Sequence, residues 1–400
     1  MKTALLCWEL GAGLGHLAPI RQISIELIKR GYKVWIAVRE LHNIHHIFND
    51  IDVSIIQAPV NHNNIKKSSE NTLCYADLIH NIGYKDKESL ANHLLGWKSL
   101  FTIIKPEIMF FDHSPTAIIA SQNTQAIKIL MGTPFSRPNE SSASINNGIF
   151  SVYGRLNSQQ LAKAEGIEKE ILNNINYACD KNNLTQLSAI GSLFSSIEFE
   201  LFSCLKEFDH FPSRPKSSKR FYLSTPANSS KQKTEWPTTM PGSKKIFAYL
   251  ATHQNIIKIL NGLIASQHST VLYIRGTFQI KHTLPSHIKI LKQPASMLEI
   301  LQECDLVISN GNLNTVQQTA LAGIPQLAAP IQLEQTLLTY RLQQQGIAER
   351  FDDRSPQHSR IQINRLISDE NSKLNTLKTK YSQLNQANKI KQIFDSIFPG

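Results

Sequence analysis

Residues 3–38, TALLCWELGAGLGHLAPIRQISIELIKRGYKVWIAV, contain the pattern that decides the fold. The stretch opens with a short apolar run, Thr3–Trp8, and closes with another, VWIAV from Val34, each typical of a buried parallel strand. Between them, apolar residues recur at helical spacing, Pro19 suits a first helical turn and Gly31 suits a left-handed helix end. The pattern predicts strand, loop, helix and strand, the repeating unit of an open α/β sheet.

The loop of this unit carries Gly11, Gly13 and Gly15, and His16 follows at once. Small residues let a ligand approach the backbone, and a helix N-terminus attracts anions. The spacing GxGxG does not meet the GxGxxG fingerprint, which disfavours a nicotinamide cofactor. His16 is expected at the carboxyl end of the first strand, where α/β sheets hold ligands and an imidazole can act as a base. A histidine that only packs under the loop is the alternative.

Composition narrows the class of protein. With 400 residues, 41% hydrophobic and 18% charged, the chain fits two globular domains and neither a disordered nor a membrane protein. The net charge of +11 favours an anionic partner such as a phosphate ester. The basic residues are not interleaved with aromatics, which disfavours nucleic acid. No apolar run reaches the length of a signal core or a membrane span, so a cytoplasmic location is expected.

The five cysteines are scattered singly along the chain, without a CxxC pair. This distribution supports neither a disulfide framework nor a zinc site. We therefore expect the cysteines to be small core residues in a reducing compartment.

A second set of apolar runs begins at residue 246 with IFAYLA and continues with TVLYI, LVIS and QLAA, separated by helix-prone segments. This alternation predicts a second α/β domain over residues 246–360. Residues 216–245 are rich in proline, serine, threonine and lysine, a composition typical of a linker. They separate the second domain from an N-terminal domain of residues 1–215. Residues 361–400 are polar and helix-prone, as expected of helices that pack onto one or both domains.

Residues 305–335 contain a strand, a tight turn at 310–312 and a helix that begins near Asn314 and Thr315. Asparagine and threonine are good N-caps, and the N–H groups of such a helix start suit a phosphate. A plain strand-to-helix connection is the alternative. Glu334 and Gln335 begin another helix near the same strand ends. This pair can bind sugar hydroxyls, or it can merely satisfy a helix start.

Together, the two motifs resemble the GT-B-type glycosyltransferases of family one, especially bacterial members related to the macrolide and glycolipid enzymes. The resemblance rests on GAGLGHLAPIRQISIELIKRGYKVWIAV and on residues 305–346, and it extends over most of the chain. It implies two Rossmann-like α/β domains facing each other across a cleft, with the helices of residues 361–400 crossing back to the first domain. It also implies inverting transfer of a hexose from a UDP- or dTDP-sugar to a hydroxyl acceptor, with no metal and no further cofactor.

The resemblance assigns roles residue by residue. His16 corresponds to the family's general base, and Asp112 in IMFFDHSP corresponds to the carboxylate that orients it. Without the resemblance, Asp112 would be interpreted as a cap of the following helix. The residues expected to bind the donor are Gly13, Gly15, Asn310, Gly311, Asn312, Asn314, Thr315, Gln318, Glu334 and Gln335.

Two positions depart from the family pattern. Asn310 stands where a histidine is usual, and Gln318 stands where a glutamate usually accepts from the ribose hydroxyls. Charge-assisted hydrogen bonds are stronger than neutral ones, so either weaker donor binding or an unusual donor base and ribose is expected. The loop 292–295 has no tryptophan to stack on the base. Backbone groups near residues 293 and 294 are expected to hold a pyrimidine.

Other functions and partners stay open. A degenerate GT-B protein that binds a nucleotide or a partner without catalysis is one alternative, and a sugar-nucleotide epimerase is another. The acceptor is expected to be a small molecule or a lipid-linked one, bound by loops within residues 61–96 and 139–175. The basic residues between 214 and 233 indicate a solvated segment or a peripheral contact with the inner membrane.

Overall fold

The structure is a computed structural model, and it describes residues 2–11, 14–42, 44–59, 72–138, 157–211, 214–224, 234–237, 241–279 and 283–398. The chain divides into two compact units. Unit 1 comprises Met1–Thr225 and Asn385–Gly400, and unit 2 comprises Pro226–Leu384. Gly13 and parts of both expected acceptor segments lie outside the described residues.

Unit 1 is built on a parallel sheet. Its strands are β1 (Thr3–Trp8), β2 (Lys33–Val38), β3 (Ser54–Gln57), β4 (Ile108–Asp112), β5 (Ile127–Gly132), β6 (Phe199–Phe202) and β7 (Arg220–Tyr222). Their order in the sheet is β3-β2-β1-β4-β5-β6-β7. The chain leaves β1 toward one edge and returns to β4 on the other side of β1. Strand order therefore reverses between β1 and β4, and open α/β sheets bind ligands beyond the carboxyl ends of such a pair.

The helices of unit 1 cover this sheet. In the described residues before 225 they are α1 (Leu14–Lys29), α2 (Ile44–Phe48), α3 (Tyr75–Ile79), α4 (Lys87–Ile104), α5 (Pro115–Ala120) and α6 (Ser158–Lys181), with a π-helical turn at His80–Tyr84. The predicted apolar face of α1 is confirmed, because Ile20, Ile23 and Leu27 are all buried in the core of the unit. Gly31 has φ +79°, the left-handed conformation expected after the helix.

Unit 2 contains a second parallel sheet. Its strands are β8 (Lys245–Ala251), β9 (Ser269–Arg275), β10 (Ile288–Leu291), β11 (Leu306–Ser309), β12 (Gln326–Ala328) and β13 (Glu349–Arg350). Their order is β10-β9-β8-β11-β12-β13. Its helices are α7 (Ile256–Ser266), α8 (Met297–Glu303), α9 (Leu313–Ala322), α10 (Leu333–Gln344), α11 (Pro356–Ser368) and α12 (Ser372–Tyr381). The reversal of strand order here lies between β8 and β11, so the turn after β11 lies at the switch point of this sheet.

The boundary of unit 1 differs from the expected one at residue 215. Residues 220–222 form β7 and pair in parallel with β6 instead of belonging to a linker. An ion pair between Arg220 and the buried Glu200 fixes this edge strand. The Pro- and Ser-rich composition concealed the strand because β7 is only three residues long.

The expectation that residues 361–400 pack together on the first domain also differs from the structure. α11 packs on α7 and α12 packs on α9, all within unit 2. The last helix, α13 (Gln386–Ile397), belongs to unit 1. Its apolar face joins the core of unit 1, where the ring of Phe394 stacks on Phe110 with centroids 6.0 Å apart.

Two other features follow from the described residues. All five cysteines are buried and free, which confirms their prediction as core residues. In the described part of the chain, no helix is both long and apolar enough to cross a membrane.

Candidate active site

His16 and Asp112 meet at the switch point of the unit 1 sheet. His16 lies in the first turn of α1, and Asp112 ends β4. Nδ1 of His16 is 2.9 Å from Oδ2 of Asp112. The carboxylate is almost fully buried, whereas the imidazole keeps 16% of its surface exposed. An ionised carboxylate can only accept, so the Nδ1 proton of the imidazole points to Asp112 and the lone pair lies on Nε2.

Two further residues hold the imidazole of His16. The indole of Trp8 stacks on it, with ring centroids 5.2 Å apart and ring planes 20° apart. Gly11 lies at the other ring nitrogen, because a Cβ added there would be 2.3 Å from Nε2. Gly11 also has φ +89°, which side chains rarely adopt. The loop therefore requires glycine at this position for two separate reasons.

Gly132, the last residue of β5, makes room for Asp112. A Cβ at Gly132 would lie 2.2 Å from Oδ1 of Asp112, and its φ is +98°. Oδ1 is buried and has no hydrogen-bond partner among the described residues. Asp112 therefore directs one oxygen to His16 and places the other against the bare backbone of the neighbouring strand.

His113 follows Asp112 in the left-handed conformation, with φ +44°. Its carbonyl accepts a hydrogen bond of 3.0 Å from the amide of Leu10, which joins the ends of β1 and β4. Burial, with smaller effects from the nearby His16 and Arg39, lowers the pKa of His113 to about 3. His113 is thus neutral near pH 7 and supplies no charge beside the His16–Asp112 pair.

Glu9 directly follows β1 and is 5% exposed. Its carboxyl accepts from the amide of Thr116 at 2.9 Å and from the hydroxyl of the same residue. The hydroxyl of Tyr84 lies 2.8 Å from that of Thr116, which extends the chain of hydrogen bonds. Burial raises the pKa of Glu9 to about 7 against the lowering effect of these bonds. A group that titrates near neutral pH therefore lies next to the candidate site.

In unit 2, Asn310 braces the turn that follows β11. Its Oδ1 accepts from the amide of Ala251 at 2.6 Å, and its Nδ2 donates to the carbonyl of Ala329 at 2.8 Å. The residue is 1% exposed. The side chain thus joins the ends of β8, β11 and β12. Its expected contact with the donor stays a prediction. A buried amide is stable only when its polar atoms are paired in this way.

Gln335 has a similar bracing role. Its Nε2 donates to Oδ1 of Asn312 at 2.8 Å, and its Oε1 accepts from the amide of Ile331 at 2.9 Å. Gln335 is buried, and its expected contact with sugar hydroxyls stays a prediction. It fixes the start of α10 to the turn before α9.

The turn itself has the form expected of an anion site. Gly311 has φ +81°, and a Cβ there would lie 2.8 Å from Oγ1 of Thr339. Asn312 is the N-cap of α9, and its side chain makes no capping hydrogen bond. The first amides of a helix have no partner within the helix, so they can bind an anion.

The remaining expected donor residues differ in exposure. Thr315 is buried in the first turn of α9, where its carbonyl accepts from Thr319. Asn314, Gln318 and Glu334 are half-buried, and Gly15 is exposed beside His16 in unit 1. The described residues contain no cluster of three or more histidine, cysteine, aspartate or glutamate side chains that could hold a metal ion.

Two parallel-sheet α/β units, with the last helix of the chain returning to the first, define the GT-B fold, and solved structures of that class resemble this chain along its whole length. The glycosyltransferase of kitacinnamycin matches with a TM-score of 0.73 at 14% identity, over 99% of this chain and 98% of that one. SnogD from Streptomyces nogalater matches with a TM-score of 0.66 at 14% identity, over 99% of both chains. VinC, solved in complex with dTDP, matches with a TM-score of 0.66 at 14% identity, over the full length of both chains.

Comparison by sequence adds no closer relative. No protein-family model and no curated protein matches the chain. The structural likeness establishes the GT-B fold, which confirms the predicted fold class.

The sequence identified His16 and Asp112 but not the residues that hold them. In the sequence, Trp8 only ends an apolar run, and Gly132 and Glu9 belong to no motif. The pairing of Trp8 with Asp112 across β1 and β4 depends on strand register, which no local pattern reveals.

Proposed function

We propose that this chain is a glycosyltransferase that moves a hexose from a UDP- or dTDP-sugar to a hydroxyl acceptor with inversion, and that His16 is its general base. The observation that carries the proposal is the 2.9 Å contact between the imidazole of His16 and the buried carboxylate of Asp112. A histidine held by a carboxylate through one ring nitrogen is oriented to take a proton at the other.

In the proposed reaction, the acceptor hydroxyl gives its proton to Nε2 of His16 while its oxygen attacks the anomeric carbon. The bond from that carbon to the diphosphate oxygen breaks, and the nucleoside diphosphate leaves. A single displacement of this kind inverts the anomeric centre. Asp112 keeps the Nδ1 proton in place and stabilises the imidazolium that forms, without itself becoming protonated.

The donor is proposed to bind unit 2, with its diphosphate at the turn of Gly311 and the N-terminus of α9. Backbone N–H groups and the helix dipole stabilise the negative charge that develops on the leaving group. Asn310 and Gln335 would support this turn from below through their own hydrogen bonds. Glu334 and Gln318, which are half-buried, are the proposed side-chain contacts to the donor sugar and ribose.

The structural neighbours support the class of reaction. Those named above are glycosyltransferases, and VinC was solved with dTDP. A spinosyn rhamnosyltransferase of similar fold, with a TM-score of 0.63 at 14% identity, was solved with its aglycone. These proteins favour a nucleotide-sugar donor and a small hydroxylic acceptor for this chain.

The test is acceptor-dependent release of nucleoside diphosphate from a panel of UDP- and dTDP-hexoses. We expect His16→Ala to lower kcat/KM by about 100-fold to 10,000-fold, because a positioned base is lost. Asp112→Asn is expected to lower kcat/KM in the same range, because the imidazole then adopts the wrong tautomer. NMR of the product should show an anomeric configuration opposite to that of the donor.

His45→Ala is the matched control, since His45 is an exposed histidine of the same unit. It should leave turnover unchanged. Full activity of His16→Ala would contradict the proposal. Two other results would favour the alternatives: donor conversion without acceptor indicates an epimerase, and equal nucleotide affinity without turnover in wild type and variant indicates a degenerate binding protein.

A further inference from the structure

We propose that Trp8 is a positioning residue for His16, which fixes the plane of the imidazole and stabilises the imidazolium formed during transfer. The inference rests on the proposed function of His16, and it adds a residue that no family pattern quoted above assigns. It is carried by the stacking of the indole on the imidazole, with centroids 5.2 Å and planes 20° apart.

Strand register brings Trp8 and Asp112 to the same place. The two residues are partners across the parallel strands β1 and β4. Neighbouring parallel strands at equal register direct their side chains to the same face of a sheet. The imidazole of His16 thus meets the carboxylate edge-on at Nδ1 and the indole on its face.

The indole cannot easily move away. Trp8 is 1% exposed, and its Nε1 donates to the carbonyl of Leu10 at 2.9 Å. The amide of Leu10 in turn donates to the carbonyl of His113 at 3.0 Å. The indole is therefore tied to the backbone that joins β1 to β4, and not merely packed in the core.

The two contacts restrict different motions. The hydrogen bond at Nδ1 restricts rotation of the imidazole about the line to Asp112 only weakly, and such rotation would swing Nε2 away from the acceptor. Stacking on a fixed ring opposes that rotation. The face of an indole is also electron-rich, so it attracts an imidazolium more than a neutral imidazole.

The titratable and charged groups near His16 are Asp112, His113, Arg39 and Glu9. Asp112 is the hydrogen-bonded partner. His113 stays neutral above about pH 3, because burial lowers its pKa and the positive charge of Arg39 adds to the effect. Burial raises the pKa of Glu9 to about 7, so the rate profile includes its titration, whereas the NMR signal of the His16 ring follows that ring alone.

The experiment measures the pH dependence of kcat/KM and the NMR titration of the His16 ring in Trp8→Leu and Trp8→Phe. We expect Trp8→Leu to lower the plateau of kcat/KM roughly 10-fold through lost orientation. We also expect the titration midpoint of the His16 ring, and the acidic limb of the profile, to move down by about 0.5 pH unit. Trp8→Phe keeps a ring and folds more readily, and it should show a smaller shift in the same direction.

Trp97→Leu is the matched control, because Trp97 is a fully buried tryptophan of the same unit that packs on Phe101. It should lower the melting temperature without moving the His16 titration. An unshifted titration in both Trp8 variants would overturn the inference and leave the general-base role intact. Full activity of His16→Ala would instead overturn the proposed function, whatever the titration in the Trp8 variants.

Discussion

Gly132 shows how far the candidate site depends on single residues. Its backbone, at φ +98°, is the surface against which the carboxylate of Asp112 rests. The backbone of Gly11 lies in the same way against His16, because a Cβ at Gly11 would be 2.3 Å from Nε2. Both positions exclude a side chain for a steric reason and a conformational one.

We predict that Gly132→Ala lowers kcat/KM by about 100-fold, because the added Cβ displaces Asp112 from His16. The measurement is steady-state turnover at saturating donor. Gly31→Ala is the matched control, since Gly31 has φ +79° and no atom within 4 Å of an added Cβ. Both variants carry the strain of left-handed backbone, about 1–2 kcal/mol, but only Gly132→Ala should lose activity. Equal activities in the two variants would contradict the steric argument.

Glu9 predicts a pH dependence of stability. Its pKa is raised from 4.5 to about 7 in the folded chain because the carboxyl is buried. Between these values the folded state holds a proton that the unfolded state has lost. The contribution of Glu9 to the free energy of unfolding is therefore largest below pH 4.5 and falls as the pH rises to 7.

We expect Glu9→Gln to gain stability relative to wild type as the pH rises from 4.5 to 8, by about 3 kcal/mol. Urea unfolding followed by tryptophan fluorescence measures the difference, since Trp8, Trp35 and Trp97 all lie in unit 1. Glu40→Gln, at an exposed position, serves as the control and should show no such trend. A difference between Glu9→Gln and wild type that does not change with pH would show that Glu9 has the same pKa in the folded and unfolded states.

At the scale of elements, the candidate site residues of the two units lie at equivalent points of their sheets. In each, the turn proposed to bind a ligand follows a strand beside the reversal of strand order, after β1 in unit 1 and after β11 in unit 2. Hydrogen bonds to the ends of neighbouring strands then fix the turn, as those of Asn310 do in unit 2. A strand, a turn and a helix start thus form each candidate site, and buried polar side chains fix the conformation of the turn.

The turn before α9 gives the next prediction. Gly311→Ala should raise the dissociation constant of UDP or dTDP about tenfold, because a Cβ would lie 2.8 Å from Oγ1 of Thr339 and distort the helix start. Calorimetric titration of the full chain measures the effect. Gly242→Ala has φ +82° and open space around an added Cβ, so it should bind as the wild type does. Unchanged affinity in Gly311→Ala would place the nucleotide elsewhere.

At the scale of the whole molecule, unit 1 is assembled from both ends of the chain. Asp395 of α13 lies 2.7 Å from Arg30 at the end of α1, and Phe394 is fully buried against Phe110. Unit 2, by contrast, is continuous from Pro226 to Leu384. The two units therefore depend differently on the C-terminal residues.

A chain that ends after Leu384 should lose acceptor-dependent turnover and the cooperative unfolding of unit 1, because it lacks the apolar face of α13. Loss of one buried phenylalanine alone costs about 3–5 kcal/mol. Nucleotide binding should persist, since unit 2 keeps all of its strands. Fluorescence-detected unfolding and calorimetric titration with UDP or dTDP test the two statements separately. Turnover equal to that of the full chain would contradict the first, and loss of nucleotide binding would contradict the second.

The sequence by itself predicted the local structure and indicated His16 as a candidate base. Periodicity and turn residues predicted the strands and helices around His16, since these depend on neighbours in the chain. The resemblance to GT-B enzymes added the role of Asp112 and the donor segment. The composition did not predict β7, because a short edge strand has too few apolar residues to be distinguished from a linker.

Only the tertiary structure decided what holds the site together. Trp8 stacks on His16, and the bare backbone of Gly132 leaves room for Asp112. Both contacts arise because strands distant in sequence lie side by side in a definite register. The side chains of Asn310 and Gln335 are likewise buried against distant parts of the chain. Such contacts depend on packing between elements, which no local pattern contains. The sequence determined which chemical groups are present, whereas the packing of the strands determined how their side chains are oriented.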